Sequence, residues 1–312
     1  MRFGATAKPL ADARGSDRSH DCKGLFSSKS PKPRACRTLT VRLPATVKPL
    51  ADERGSDRSR DRKGVVFGKT ASHLAFLLAL SFVPNAFALD DRTVASPDGR
   101  IVFRVFVAPQ EPGGLSRLAY QVLVQGKLAV ETSYLGLDIE NQEPLLGEND
   151  GLLSSKTDSA ADYRSLTAEY MQNGSIGRRI DVEIRVYNDG VAFRYALPRQ
   201  TPLEELLIAD EVTEFRFPQK VETAARVPLP LILPQPASGW IAITEVRSGA
   251  WPPASLAHLD ANALVTRLAR RPGAPSLALE GTTPLTGPWR VLIFGADKDR
   301  LMQSTILQSL NR

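Results

Sequence analysis

Hydrophobic and polar residues alternate with a period of two along much of the chain after residue 90. In Arg100–Val107, Ile101, Phe103, Val105 and Val107 share one side and Arg104 lies on the other. That is the pattern of a strand with one buried face. Leu118, Tyr120, Val122 and Val124 repeat it after the turn residues Gly113-Gly114. Ile180, Val182, Ile184 and Val186 alternate with Asp181, Glu183 and Arg185, and Asn188-Asp189-Gly190 then predicts a hairpin turn with positive-φ positions. The chain returns as Val191–Tyr195. Shorter strands are predicted at Leu166–Tyr170, Thr213–Phe217, Trp240–Thr244, Leu264–Leu268, Ser276–Leu279 and Arg290–Phe294.

Many short strands with turns between them predict an all-β fold, a large antiparallel sandwich. Strand–helix alternation is missing, which disfavours a doubly wound sheet or a (β/α) barrel. One short C-terminal helix is expected. Asp297 caps it, and Leu301 or Met302, Thr305, Ile306 and Leu310 follow at helical spacing. Residues 226–239 hold four prolines. Proline donates nothing to a ladder, so this stretch is a connection or an edge strand.

The first 65 residues read differently. ATAKPLADARGSDRSHDCKG from Ala5 returns as ATVKPLADERGSDRSRDRKG from Ala45. The copies are almost wholly polar and lack the apolar face a stacking repeat needs, so a disordered leader is expected. A basic binding tail and translated upstream DNA are the alternatives. Residues 66–88 resemble a signal peptide. Leu74–Val83 is an apolar run of 10, too short for a membrane span, with Lys69 before it and Ala86-Phe87-Ala88 as a small-x-small cleavage site. A start at Val65 or Val66 gives an ordinary export signal, so the mature body at 89–312 is expected to be exported, periplasmic or secreted.

Charge follows the same division. Residues 1–70 carry 17 Lys and Arg against 7 Asp and Glu, and the rest carries 23 against 27. The basic excess belongs to the leader, so a nucleic-acid partner is not indicated. Both cysteines, Cys22 and Cys36, are also in the leader. The body therefore has no thiol nucleophile and no Cys-ligated metal site. His258 is its single histidine. It lacks the companions of a zinc site and a GxSxG elbow, and reads as a loop or surface residue.

Six segments resemble a known family in their order: SPDGRIVFRV (Ser96–Val105), SYLGLDI (Ser133–Ile139), RRIDVEIRVYNDGVAFRYALP (Arg178–Pro198), ADEVTEFRFP (Ala209–Pro218), WIAITEV (Trp240–Val246) and GPWRVLIFG (Gly287–Gly295). Together they resemble the N-terminal domain of glycoside hydrolase family 97, and the RVYNDGVAFRY block is the most specific. The resemblance implies a β-super-sandwich that precedes a catalytic (β/α) barrel and a small C-terminal sandwich. It implies α-glucosidase or α-galactosidase activity with calcium near the active site. The family's catalytic carboxylates lie in the barrel, so no catalytic residue is carried over, and the chain is expected to stop before that barrel. The stretch after Phe217-Pro218 is shorter than in the family.

Glycoside hydrolysis needs two carboxylates facing each other across the scissile bond. Glu204-Glu205 and Asp210-Glu211 are adjacent pairs on strands and point to opposite faces. With Glu214 they are expected to be solvated or loop-positioning charges. Glu245 ends the WIAITEV strand, and the resemblance implies that it reaches the barrel as one ligand of a partial calcium site. A strand-end glutamate with no ligand role is the alternative. Among Trp240, Trp251 and Trp289, Trp251 beside Pro252-Pro253 is the expected exposed indole and substrate-binding candidate; Trp289 reads as structural. Two functions stay open. One is a non-catalytic domain that supports a barrel in cis or in trans; the other is a stand-alone carbohydrate-binding module.

Overall fold

A computed structural model describes residues 91–174, 177–247 and 249–311. The leader repeat, the signal-like segment and both cysteines lie outside the described residues. Every strand pairing among the described residues is antiparallel.

β1 (Arg92–Ala95), β2 (Ile101–Pro109), β3 (Ser116–Val124) and β4 (Lys127–Tyr134) form a four-stranded meander. β5 (Leu137–Ile139) leaves it. β6 (Asp150–Ser159), β7 (Tyr163–Gln172), β8 (Arg179–Tyr187) and β9 (Gly190–Leu197) form a second meander, followed by β10 (Glu205–Glu211), which pairs with β5, and by β11 (Glu214–Arg216). Next come β12 (Arg226–Pro228), β13 (Leu231–Gln235), β14 (Gly239–Val246), β15 (Ala254–His258) and β16 (Ala263–Leu268). β17 (Leu279–Thr282), β18 (Leu285–Thr286) and β19 (Trp289–Gly295) complete the strands, and α1 (Lys298–Met302) and α2 (Ile306–Leu310) end the chain. The large sheet runs β13-β14-β19-β9-β8-β7-β6, with β18 attached to β9. Smaller sheets are β17-β10-β5 and β11-β16-β15-β12.

The alternation decides which faces meet. Ile101, Phe103 and Val105 of β2 and Ile180, Val182 and Ile184 of β8 are buried in one core, while the residues between them are only half-buried. Phe103 stacks on Tyr120 at 5.3 Å, and Phe193 from the large sheet closes on Tyr120 at 4.9 Å. This aromatic knot ties the first meander to the large sheet. Offset and tilted ring pairs of this kind add about 1 kcal/mol beyond their burial.

Several expectations need adjustment. The Asn188-Asp189 hairpin joins β8 to β9, but neither residue has positive φ. Gly190 is required for space instead, since a Cβ there would lie 2.4 Å from the Leu292 carbonyl oxygen. The strand expected at Ser276–Leu279 begins only at Leu279. The proline-rich stretch holds two strands, β12 and β13, and each lies at the edge of its sheet, the edge-strand alternative of the expectation. The C-terminal helical segment is two short turns. Asp297 accepts the Arg300 N–H at 2.8 Å and caps the first as expected.

Candidate functional site

Glu245 stands near the end of β14, directly opposite Arg290 of β19. Opposed residues on neighbouring strands share a face, so the register alone brings carboxylate and guanidinium together. Arg290 is 2% exposed, a buried charge that requires partners. Its Nη1 donates to Glu245 Oε2. Its Nε donates to Glu211 Oε1 at 2.8 Å, and Nη2 donates to Glu211 Oε2. Glu211 comes from β10 and is 1% exposed. Burial works against the Arg290 charge, but Glu211 and Glu245 outweigh it and hold the guanidinium above its usual pKa.

A relay of hydroxyls extends this pair inward. The Gly136 N–H donates to Tyr195 Oη at 3.0 Å, Tyr195 Oη lies 2.7 Å from Thr213 Oγ1, and Thr213 donates to Glu211 Oε1 at 2.7 Å. Each hydroxyl donates once and accepts once, so every polar atom of the relay is satisfied. Burial, with Glu211 adding to it, raises the Tyr195 pKa, which keeps the phenol protonated.

The other acidic residues are also engaged. Asp210 Oδ1 accepts the N–H groups of Leu268 at 2.8 Å and Glu211 at 3.0 Å, and Arg270 reaches Oδ2 at 3.1 Å. Glu214 is 7% exposed and faces Arg117 at 3.9 Å; burial raises its pKa against the pull of that arginine. Of the two expected roles, solvated or loop-positioning, burial excludes the first for Asp210, Glu211 and Glu214. Asp210 and Glu211 hold neighbouring segments, the positioning role. Glu204 and Glu205 are exposed, as expected.

Calcium takes six to eight oxygen ligands, several of them carboxylates. Among the described residues no group of three or more His, Cys, Asp or Glu could hold a metal ion. Glu245 Oε2 is taken by Arg290, while among the described residues Oε1 has the Ala254 N–H at 3.4 Å and Arg247 at 3.8 Å. These residues do not make a calcium site.

Trp251 is not the exposed indole. It is 5% exposed, and its ring packs over Gly287, where a Cβ would lie 3.3 Å from Cζ2. Its ring is covered, so it offers no face to a sugar ring. Trp289 is buried and structural, roofed by Arg194 at 4.3 Å and Arg185 at 4.8 Å. His258, the last residue of β15, bonds Thr223 Oγ1 at 2.9 Å. Sequence reasoning missed Arg290. A lone arginine inside the apolar run WRVLIF was the available signal, because such a residue must find a buried acid.

Residues 94–225 match the family model described as Glycosyl-hydrolase 97 N-terminal. A retaining alpha-galactosidase of Bacteroides thetaiotaomicron is 26% identical over 145 residues, which cover 44% of this chain and 20% of that enzyme. A glycoside hydrolase family 97 enzyme from Pseudoalteromonas sp. strain K8, solved with acarbose, superposes with a TM-score of 0.55 at 16% identity. That match covers 71% of this chain and 38% of the enzyme. A beta-arabinopyranosidase structure matches with the same TM-score at 21% identity, covering 66% of this chain and 40% of its own. At these identities the structural matches establish the fold. The chain spans about a fifth of the galactosidase and under half of each solved enzyme.

Proposed function

Residues 94–225 are an N-terminal domain of glycoside hydrolase family 97, and on that premise we propose that the chain supports an α-glucoside or α-galactoside active site without carrying one. The observation behind this reading is the Glu211–Arg290–Glu245 group. Hydrolysis needs an acid and a base or nucleophile free to face the anomeric carbon. Here one buried arginine holds both carboxylates.

In this reading a (β/α) barrel, in the same chain or as a partner, brings the catalytic pair. The sandwich braces it and presents Glu245, whose Oε1 serves as one calcium ligand. Arg290 and Glu211 then act as positioning residues that fix the Glu245 carboxylate. The chain is exported, with the segment before residue 89 removed. The test is an assay of the full chain on aryl α-glucosides and α-galactosides, with and without calcium, alone and with a family barrel supplied. Turnover should appear only with the barrel. Turnover by the chain alone that vanishes in Glu245→Gln would overturn the reading.

A further inference from the structure

A second polar site lies at the other end of β14 and β19. Glu245 lies six positions beyond Gly239, about 20 Å along an extended strand. At the Gly239 end is an open cleft of about 690 Å³, within the usual range of ligand pockets. Turns from two sheets build it. The first meander contributes Arg100 and the Gln125 turn; the large sheet contributes the Asn188-Asp189 turn and the residues after β19; α1 adds Arg300. The two sides are already joined there, since the Asp98 N–H donates to Asn188 Oδ1 at 3.0 Å. Ile101, Val124 and Phe294, all buried, form its floor.

The chemistry of the lining selects a ligand class. Arg100 is neutralised by Asp98 at 2.6 Å. Arg300 and Asp189 bring one charge of each sign, and neither has an ion pair among the described residues. The cleft thus offers guanidinium donors, a carboxylate acceptor and an amide, with no excess of either charge. A phosphate or a carboxylate ligand would meet Asp189 as well as the arginines. A hydroxyl both donates and accepts, so a run of neighbouring hydroxyls matches such a mixed lining.

We propose that this cleft is a binding subsite for a neutral oligosaccharide, separate from the Glu245 edge. The choice of a sugar among polyols rests on the reading of the chain as part of a glycosidase. Such a subsite would hold a polymer near the enzyme while a barrel acts elsewhere on it.

The experiment is calorimetric titration of the full chain with maltotriose and with melibiose. Dissociation constants of about 1 mM are expected for at least one of them. Arg300→Ala and Asp189→Ala should each weaken binding at least about fivefold, roughly 1 kcal/mol. Lys156→Ala, on exposed β6, should leave it unchanged. Circular dichroism verifies that each variant is folded. The proposal fails if neither sugar binds, if binding survives both cleft variants, or if inorganic phosphate displaces the sugar. Turnover with a supplied barrel but no binding here would sink this proposal alone. Binding here without any barrel-dependent turnover would uphold it and sink the functional reading instead.

Discussion

Arg290 and Asp150 are about equally buried, at 2% and 3% exposed, yet their surroundings differ in kind. Arg290 has two carboxylates in hydrogen-bond contact and a hydroxyl relay behind one of them. Neither oxygen of Asp150 has a hydrogen-bond partner among the described residues. Arg178 lies near it but sends its donors to neutral acceptors: Gln172 Oε1 at 2.7 Å, Gln142 Oε1 at 3.2 Å and the Pro144 carbonyl. Asp150 therefore receives attraction at a distance and no bond. Burial pushes its carboxyl up to about 7, against the pull of Arg178 and with some help from Glu148. Burial alone thus does not predict the cost of a charge. The direction of the neighbouring donors decides it.

The largest expected effect comes from breaking the paired group. Arg290→Met leaves Glu211 buried without its cation and should cost about 3–5 kcal/mol. Urea unfolding checks it; a loss below about 1 kcal/mol would show that Glu211 takes up a proton or water cheaply.

The Asp150 group should respond in the opposite sense. Its folded pKa lies above the ordinary 3.8, so the proton favours the folded state. Its contribution is complete below about pH 4 and is lost as the pH rises through about 7. Asp150→Asn cannot ionise. Relative to the parent it should gain on the order of 3 kcal/mol between pH 4 and pH 8. Stability curves at the two pH values, with the gap between the proteins constant, would refute the assignment.

Smaller changes probe the relay. Thr213→Val strands the Tyr195 hydroxyl without its acceptor and should cost about 1–3 kcal/mol. Glu245→Gln removes only one of the two acids on Arg290, at the more exposed end, and should cost about 1 kcal/mol. The order of these two losses, read from denaturation midpoints, tests whether the inner end of the group matters more than the edge.

The contrast also shows what could be read without a structure. The strands around Phe103, Tyr120, Ile184 and Phe193 were legible because alternation is a local signal and each strand needs one apolar face. The short strands β5, β12, β17 and β18 were not, because two to four residues carry too little pattern to stand out, and the longer β4, β6 and β10 were not either; β6 is exposed over most of its length and shows no alternation. Glu245 was legible only through a family likeness. Arg290 and Glu211, which lie 79 positions apart, had no local mark that joined them. Trp251 was misplaced because flanking prolines signal a turn and say nothing about which side of the turn is covered.

Period-two patterning and turn residues determined an all-β sandwich and which side chains enter its core. Those are properties of each segment alone. Tertiary structure decided which charges meet, because strand register sets Glu245 against Arg290, and sheet packing delivers Glu211 to the same guanidinium and leaves Asp150 without a bond. Electrostatic pairing acts over a few ångströms in space, and no separation along the chain encodes it.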